Sequence, residues 1–114
     1  MKKIEGRREY LLVEYSEPYR FEKVMALMQE VAETCRRENY SKVLVDLSGA
    51  EEISIMDGFR LGAKGAETFR WLGKVAVVSQ SRLIHFIETV GINRGGNVRM
   101  FSEIEKARQW LGVK

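Results

Sequence analysis

The sequence predicts an α/β fold in which a mixed β-sheet is flanked by about four helices, in the order ββαβαβαβα. After residue 42, short apolar runs alternate with amphipathic segments, which is typical of parallel strands joined by right-handed crossovers. Before that point, two strand-forming segments separated by a short turn predict an antiparallel hairpin at the edge of the sheet. The 114 residues suit a single domain spanning residues 1–114.

The first half of the chain is predicted to form the hairpin and a long helix. The two strands are expected at Lys3–Glu5 and Tyr10–Tyr15, where strand-favouring bulk surrounds a turn at Gly6. The clearest helix follows over Phe21–Glu38, because apolar residues recur there at spacings of three and four. Cys35 lies on this apolar stripe, so we expect a buried and unreactive thiol.

The segment Val43–Gly65 is where we expect the functional edge of the molecule. Its first residues, Val43–Leu47, are apolar except for Asp46 and predict a central strand that is covered on both sides. Asp46 stands near the carboxyl end of that strand, where open α/β sheets place their functional loops. A polar loop follows, and the second helix is predicted from about Met56 to Trp71.

The second helix is unusual because it contains Gly58, Gly62 and Gly65, each costing about 1 kcal/mol relative to alanine in a helix interior. One interpretation of this small-residue face is close packing against the sheet or against another chain. The other is that a ligand or a protein partner approaches the backbone near Gly58. Ser54 and Asp57 resemble a capping box, so we interpret Ser54 as a cap rather than a nucleophile.

The last third of the chain is predicted to add two strands and two helices. Ser81 is expected to cap the third helix, and an S-x-x-E capping box is expected to open the fourth. The predicted elements are the strands Lys74–Ser79 and Asn97–Phe101, the helix Arg82–Arg94, and the last helix, which begins with Ser102–Glu105.

The residue counts exclude most hydrolytic and metal chemistry. Cys35 is the only cysteine and His85 the only histidine, so the chain has no intramolecular disulfide and no thiolate cluster for zinc. His85 is one position off the apolar stripe of its helix, so we expect a partly exposed surface residue. Asp46 and Asp57 could pair as acid and base, but no partner is fixed beside them, and Asp46 is expected to accept backbone N–H groups in its own turn. We predict no enzymatic activity, no cofactor and no metal.

Charge and hydropathy exclude two further classes of partner. The net charge of +3 is mild, and the basic residues are interspersed with acidic ones, whereas nucleic-acid-binding proteins usually concentrate them on one face. We therefore predict no nucleic-acid partner. No apolar run approaches the roughly 20 residues that span a bilayer, and the N-terminus lacks the hydrophobic region of a signal peptide. The prediction is a cytoplasmic protein with no transmembrane segment.

Five phrases of the sequence carry a family resemblance: Val43–Ser48, Met56–Gly58, Phe86–Gly95, Val98–Phe101 and Glu105–Leu111. With the order ββαβαβαβα, they resemble the STAS-like proteins, a group typified by anti-sigma-factor antagonists and including small bacterial STAS-like domains. The resemblance covers nearly the full length of the chain. It implies a STAS-like mixed sheet and a regulatory role without a catalytic signature.

The same resemblance bears on phosphorylation. Phosphorylatable antagonists carry a serine directly after the second aspartate of the loop, whereas here Asp57 is followed by Gly58, which has no hydroxyl group. The loop is also longer than in those proteins. Ser54 and Ser48 are the candidate phosphosites that replace it, because a phosphate group is electrostatically favourable at a helix N-terminus.

The leading interpretation is a binding or regulatory module that contacts a protein partner through the loop Ser48–Gly58 and the following helix. Glycine-rich helix faces and edge strands also favour self-association, so a homodimer is a further candidate. The candidate contact residues are Asp46, Ser48, Ser54, Asp57, Gly58 and Gly62.

The alternative interpretation is a small-molecule or lipid-binding domain. The resemblance implies it, since small STAS-like proteins are grouped with the CRAL-TRIO lipid-carrier fold. Core packing is the competing explanation for the aromatic side chains that would line such an apolar pocket. These side chains are Phe59, Phe69, Trp71 and Phe86.

Overall fold

The computed structural model describes residues 2–18, 20–48 and 54–113, and the predicted order ββαβαβαβα is confirmed in these ranges. The strands are β1 (Lys2–Gly6), β2 (Leu11–Tyr15), β3 (Lys42–Asp46), β4 (Lys74–Val78) and β5 (Val98–Phe101). The helices are α1 (Phe21–Glu38), α2 (Ile55–Phe69), α3 (Ile84–Asn93) and α4 (Ile104–Leu111).

The five strands form one mixed sheet in the order β1-β2-β3-β4-β5. β1 pairs with β2 in the antiparallel sense, with Ile4 opposite Val13, which confirms the predicted edge hairpin. Every other pairing is parallel, and β2 is parallel to β3, so the parallel part of the sheet begins earlier than residue 42.

The strand order determines which helices share a side of the sheet. β2 to β5 follow one another in space as they do in sequence, so right-handed crossovers place α1, α2 and α3 on the same side. We call this the three-helix side. The chain continues from β5 into α4, which covers the opposite side, here called the α4 side.

Alternating residues of the strands supply the two cores, as the pleat of a sheet requires. On the three-helix side, Val13, Val43 and Val75 pack with the apolar stripe of α1 and with Leu61 of α2. On the α4 side, a separate cluster joins the sheet to α4, and the rings of Phe101 and Trp110 lie 5.9 Å apart. That cluster includes Leu12, Leu44, Ala76, Val78, Ala107 and Leu111.

The helix α1 has the predicted bounds and the predicted buried stripe. It ends at Asn39, whose N–H donates to the carbonyl oxygen of Cys35. The left-handed backbone of Asn39 (φ 64°) also directs the Tyr40 N–H to that oxygen (3.1 Å). The side chain of Cys35 is buried, as predicted, and burial raises the pKa of its thiol to about 11. The thiol is therefore protonated at neutral pH, which makes it a poor nucleophile.

The bounds of α2 and α3 differ from the prediction at one end each. α2 ends at Phe69, two residues before Trp71. α3 begins at Ile84 rather than Arg82, because the Ser81 hydroxyl accepts the N–H of Leu83 (3.0 Å) and closes a turn ahead of the helix instead of capping it.

The capping box predicted for α4 is wrong. The residue at the N-cap position of α4 is Glu103, not Ser102, and its side chain makes no capping hydrogen bond. The backbone enters the helix one residue later than the S-x-x-E pattern requires, so Ser102 and Glu105 do not stand at the positions that cap the free N–H groups.

A helix with the length and hydropathy of a membrane span is not found among the described residues. The cytoplasmic location stays a prediction.

Candidate functional site

Asp46 holds the chain where it leaves the sheet after β3. Its carboxylate oxygen Oδ1 accepts the backbone N–H of Ser48 (3.0 Å) and the Ser48 hydroxyl (2.5 Å). The prediction that Asp46 accepts a backbone N–H in its own turn is thereby confirmed. The Asp46 carboxylate therefore stabilises the turn at the start of the loop through its hydrogen bonds to Ser48.

Ser54 begins α2 at the other end of the loop. Its hydroxyl oxygen accepts the backbone N–H of Asp57 (3.1 Å), so the predicted cap is confirmed. The Asp57 carboxylate lies 3.9 Å from the guanidinium group of Arg60, one helical turn further on. The middle of the predicted loop Ser48–Gly58, residues 49–53, lies outside the described residues.

The glycines at positions 58 and 62 are buried in a close contact between α2 and α3. A Cβ atom at Gly58 would lie 3.3 Å from Cγ1 of Ile87, and one at Gly62 would lie 2.7 Å from the carbonyl oxygen of Ile87. The packing interpretation of the small-residue face therefore describes the structure, with α3 as the neighbour rather than the sheet or another chain. Gly58 and Gly62 lie inside the molecule and not on its surface.

Gly65, one turn further along α2, faces an apolar cavity of about 110 Å³ between the helices of the three-helix side and the sheet. A Cβ atom at Gly65 would meet only Cε of Met28, at 4.0 Å. The polar residues in the cavity wall are Ser79, Ser81 and Glu88. Most of the remaining wall is aliphatic, with contributions from Leu27, Val31, Leu61, Ile87 and Val98.

The structure does not bring together the four aromatic residues of the apolar pocket suggested by the sequence. Phe69 is buried and lines the cavity, whereas Phe59, Trp71 and Phe86 are 43%, 42% and 38% exposed. The competing explanation, core packing, is wrong for Phe59, Trp71 and Phe86, because their side chains are exposed. Two of the rings lie under arginine side chains instead: Arg94 stands 5.3 Å from the centre of Phe59, and Arg36 stands 4.7 Å from that of Trp71.

The first two turns of α2 present large apolar side chains to solvent. Ile55 is 65% exposed and Met56 is 64% exposed, and Phe59 lies one turn further on. We call these three residues the apolar end of α2. Their exposure was not predicted, although the helical spacing indicates it: at about 100° per residue, Met56 and Phe59 stand at least 100° around the helix from the buried Gly58.

A groove next to the apolar end of α2 collects positive charge. It runs between α1 and α2, and the guanidinium group of Arg60 stands 5.7 Å from the ring centre of Phe21. Among the residues that the structure describes, Glu67 is the one carboxylate in its wall, where it lies 3.7 Å from the Lys64 ammonium group. The cationic side chains in the groove wall are Arg60, Lys64, Arg70 and Arg94.

His85 is exposed on α3, in agreement with the prediction of a surface residue. In the ranges that the structure describes, no three histidine, cysteine, aspartate or glutamate side chains come together in a way that could hold a metal ion. The described residues of α2 contribute to three features: an apolar patch, a basic groove and an apolar cavity.

The comparisons with known proteins agree on the fold. A family model described as SpoIIAA-like matches residues 10–112. An anti-sigma factor antagonist from Mycobacterium paratuberculosis is 17% identical, with a TM-score of 0.67 over 98% of this chain and 93% of that one. The comparison with curated proteins found no match.

Two further solved structures have a similar fold. A protein with a SpoIIAA-like fold from Shewanella loihica is 21% identical, with a TM-score of 0.56 over 97% of this chain and 92% of the other. The anti-sigma factor antagonist SpoIIAA in its unphosphorylated form is 10% identical, with a TM-score of 0.64 over 100% and 99% of the two chains. The chain therefore belongs to the SpoIIAA-like family and has the STAS fold of the anti-sigma factor antagonists.

Proposed function

We propose that this protein is a non-catalytic regulatory module that binds a protein partner through the apolar end of α2 and the loop before it. The observation that carries the proposal is the exposure of Ile55, Met56 and Phe59 in two consecutive turns. Fully burying one such side chain is worth about 1.5–3 kcal/mol, so their exposure leaves a favourable contact unused. Apolar side chains grouped in this way mark interaction sites.

The chemistry next to this patch suggests what the partner presents. In the described part of the chain, the groove between α1 and α2 carries four cationic side chains and one carboxylate. A partner surface with apolar side chains at its centre and acidic ones beside them would be complementary in both respects. Two structural neighbours are named as anti-sigma factor antagonists, so we propose a partner of the anti-sigma-factor kind.

The candidate residues from the sequence have different roles in this proposal. Asp46 and Ser48 fix the turn at the start of the loop, and Ser54 fixes the start of α2. Gly58 and Gly62 act indirectly, since they allow α2 to lie close against α3 and so set the angle at which its apolar end faces outward.

The proposal is tested by affinity capture from the native host followed by binding of the purified partner. Met56→Glu places a charge in the centre of the patch, and we expect at least a tenfold loss of affinity. Ile92→Glu is the matched control, because Ile92 is 40% exposed on α3 and lies outside the patch. A partner that binds Met56→Glu as tightly as the unmodified protein would contradict the proposal, as would the absence of any stoichiometric partner.

Native mass spectrometry of the same samples separates a foreign partner from a second copy of this chain. A mass equal to two chains, lost in Met56→Glu and retained in Ile92→Glu, would show that the patch serves a homodimer. The regulatory proposal requires instead a complex whose additional mass differs from that of the chain.

Phosphorylation of this module is best supported at Ser54. It is exposed and lies at the N-terminus of α2, where the helix dipole stabilises negative charge. Ser48 is less favourable because its hydroxyl lies 2.5 Å from the Asp46 carboxylate, which would repel a phosphate group. Intact-mass measurement of the protein from its native host should show the added phosphate and lose it in Ser54→Ala. Detection of the unmodified chain alone would contradict this proposal.

A further inference from the structure

We propose that two copies of this chain associate through the free edges of their β1 strands and join their sheets into one continuous sheet. This inference goes beyond the proposed protein partner, because it concerns β1 and not the apolar end of α2. The strand order places β1 at one edge of the sheet and β5 at the other. The free edge of a sheet presents unpaired N–H and carbonyl groups, which are a template for pairing with another strand.

The edge at β5 is closed by a side chain of α3. The carbonyl groups of Asn97 and Phe101 accept hydrogen bonds from β4, so the backbone of Met100 between them points away from the sheet. Oε2 of Glu88 accepts the N–H of Met100 (2.7 Å), and Oε1 lies 3.7 Å from the guanidinium group of Arg99. A second strand could pair with β5 only by displacing this carboxylate.

The edge at β1 is open. The Arg7 N–H donates to the carbonyl oxygen of Tyr10 (2.8 Å), at the end of the β1–β2 ladder. Hydrogen-bonded and non-hydrogen-bonded pairs alternate along an antiparallel ladder, so every second residue of β1 directs its backbone groups away from β2. These outward-facing residues are Lys2, Ile4 and Gly6. Within the described ranges, the outward N–H and carbonyl groups of Ile4 have no hydrogen-bond partner.

The charges of β1 select one register for a symmetric pair of strands. Two antiparallel copies centred on Ile4 place Lys3 of each copy opposite Glu5 of the other. A centre at Lys3 or at Glu5 would instead bring two like charges directly opposite each other, which is destabilising. The centre at Ile4 also makes Ile4 a hydrogen-bonded pair with its copy. The Lys3–Glu5 pairs are then non-hydrogen-bonded pairs, in which the side chains lie closer together.

The Glu5 carboxylate has an acceptor site that a second copy can use. Its Oε2 atom is buried, and cationic groups of Lys3 and Arg7 each lie 3.2 Å away, but among the described residues none donates a hydrogen bond to it. The Lys3 ammonium group of the other copy approaches from the adjacent strand and carries free donors. On the three-helix side, Ile4 is half-buried at the margin of the core, and pairing would cover it with the Ile4 side chain of the other copy.

Sedimentation equilibrium measures the stoichiometry, and amide hydrogen exchange of the unmodified protein locates the interface. We expect a reversible dimer between micromolar and millimolar concentrations, with slower exchange of the Ile4 amide as the dimer forms. The amides of Lys3 and Glu5 already bond to β2, so their exchange should change much less. A chain that is monomeric over this whole range would overturn the proposal, and so would a dimer in which the Ile4 amide exchanges as fast as in the monomer.

Charge reversal separates this interface from any other. Lys3→Glu and Glu5→Lys each place like charges opposite one another, so either variant alone should self-associate about tenfold more weakly. An equimolar mixture of the two should dimerise like the unmodified protein, because every cross-strand pair then joins opposite charges. Glu9→Lys is the matched control: Glu9 is exposed in the hairpin turn outside β1, and this variant should dimerise normally.

The outcome of the mixing experiment is decisive when circular dichroism shows that both variants are folded. A mixture that associates no better than either variant alone would contradict the Lys3–Glu5 pairing. Met56→Glu should leave this dimer intact, and its loss in that variant would assign the dimer to the apolar end of α2 and overturn the proposal. If a charge-reversal variant does not fold, the hydrogen exchange of Ile4 in the unmodified protein decides alone.

Discussion

The two sides of the sheet show that the number of covering helices does not determine how well a core is packed. A single helix, α4, seals one side, where Leu44, Ala76 and Ala107 are completely buried. Three helices cover the other side and still leave a cavity of about 110 Å³.

Small residues explain the difference between the two sides. On the α4 side, Ala76 and Ala107 belong to one cluster, and their size allows helix and sheet to approach closely. On the three-helix side, the small residue Gly62 lies in the close contact between α2 and α3. We infer that the contact with α3 keeps α2 at a distance from the sheet. The cavity therefore remains between α2 and the sheet at Gly65.

The largest expected effect comes from shortening one leucine on each side. Leu111 of α4 and Leu61 of α2 are both helical, so substitution by alanine removes the same atoms at each position. We expect Leu111→Ala to lower the free energy of unfolding by about 3–5 kcal/mol and Leu61→Ala by about 2–3 kcal/mol, since a cavity wall has fewer contacts to lose. Urea denaturation followed by circular dichroism measures both. Equal losses would mean that the two sides are packed alike.

Adding one methyl group at Gly62 should be the next largest effect. The new Cβ atom would lie 2.7 Å from the Ile87 carbonyl oxygen and 3.1 Å from Cβ of Val90, so α2 and α3 must separate. We expect Gly62→Ala to lower the free energy of unfolding by about 1–3 kcal/mol, in spite of the better helix propensity of alanine. Thermal unfolding is a sufficient measurement. A variant as stable as the unmodified protein would show that the two helices are not in close contact.

The same substitution at Gly65 should have the opposite sign and the smallest size. Its Cβ atom would enter open space, so only the helix propensity and the partial filling of the cavity remain. We expect Gly65→Ala to raise the free energy of unfolding by about 0.5–1 kcal/mol. Measured beside Gly62→Ala under identical conditions, a loss of stability at position 65 would contradict the geometry of the cavity.

Regular patterns in the sequence predicted most of the fold. The apolar stripe of α1 predicted the bounds of that helix, because one side of it faces a core. The strand β3 was recognisable because it is covered on both sides. The cap at Ser54 and the turn at Asp46 were predictable because both are local hydrogen bonds between near neighbours. The capping box predicted at Ser102 was wrong, because a pattern of residue types does not show at which residue the backbone enters the helix.

The candidate site was less predictable, because it depends on contacts between distant residues. Gly62 and Gly65 are equivalent in the sequence, yet one lies against α3 and the other against empty space. Phe59, Trp71 and Phe86 are apolar, and residue type alone does not show that they are exposed. The groove likewise collects cations from α2 and from Arg94, which are far apart in the chain.

High-pressure unfolding tests the difference between the two sides most directly. Pressure favours unfolding because voids are eliminated, so the volume change reports the cavity without any ligand. Unfolding can be followed by tryptophan fluorescence, because Trp110 packs against Phe101 on the α4 side whereas Trp71 is already exposed in the folded protein. We expect the volume change of Gly65→Leu to be smaller in magnitude than that of the unmodified protein by some tens of mL/mol, on the order expected for filling such a void. An unchanged volume of unfolding would contradict an open cavity under α2.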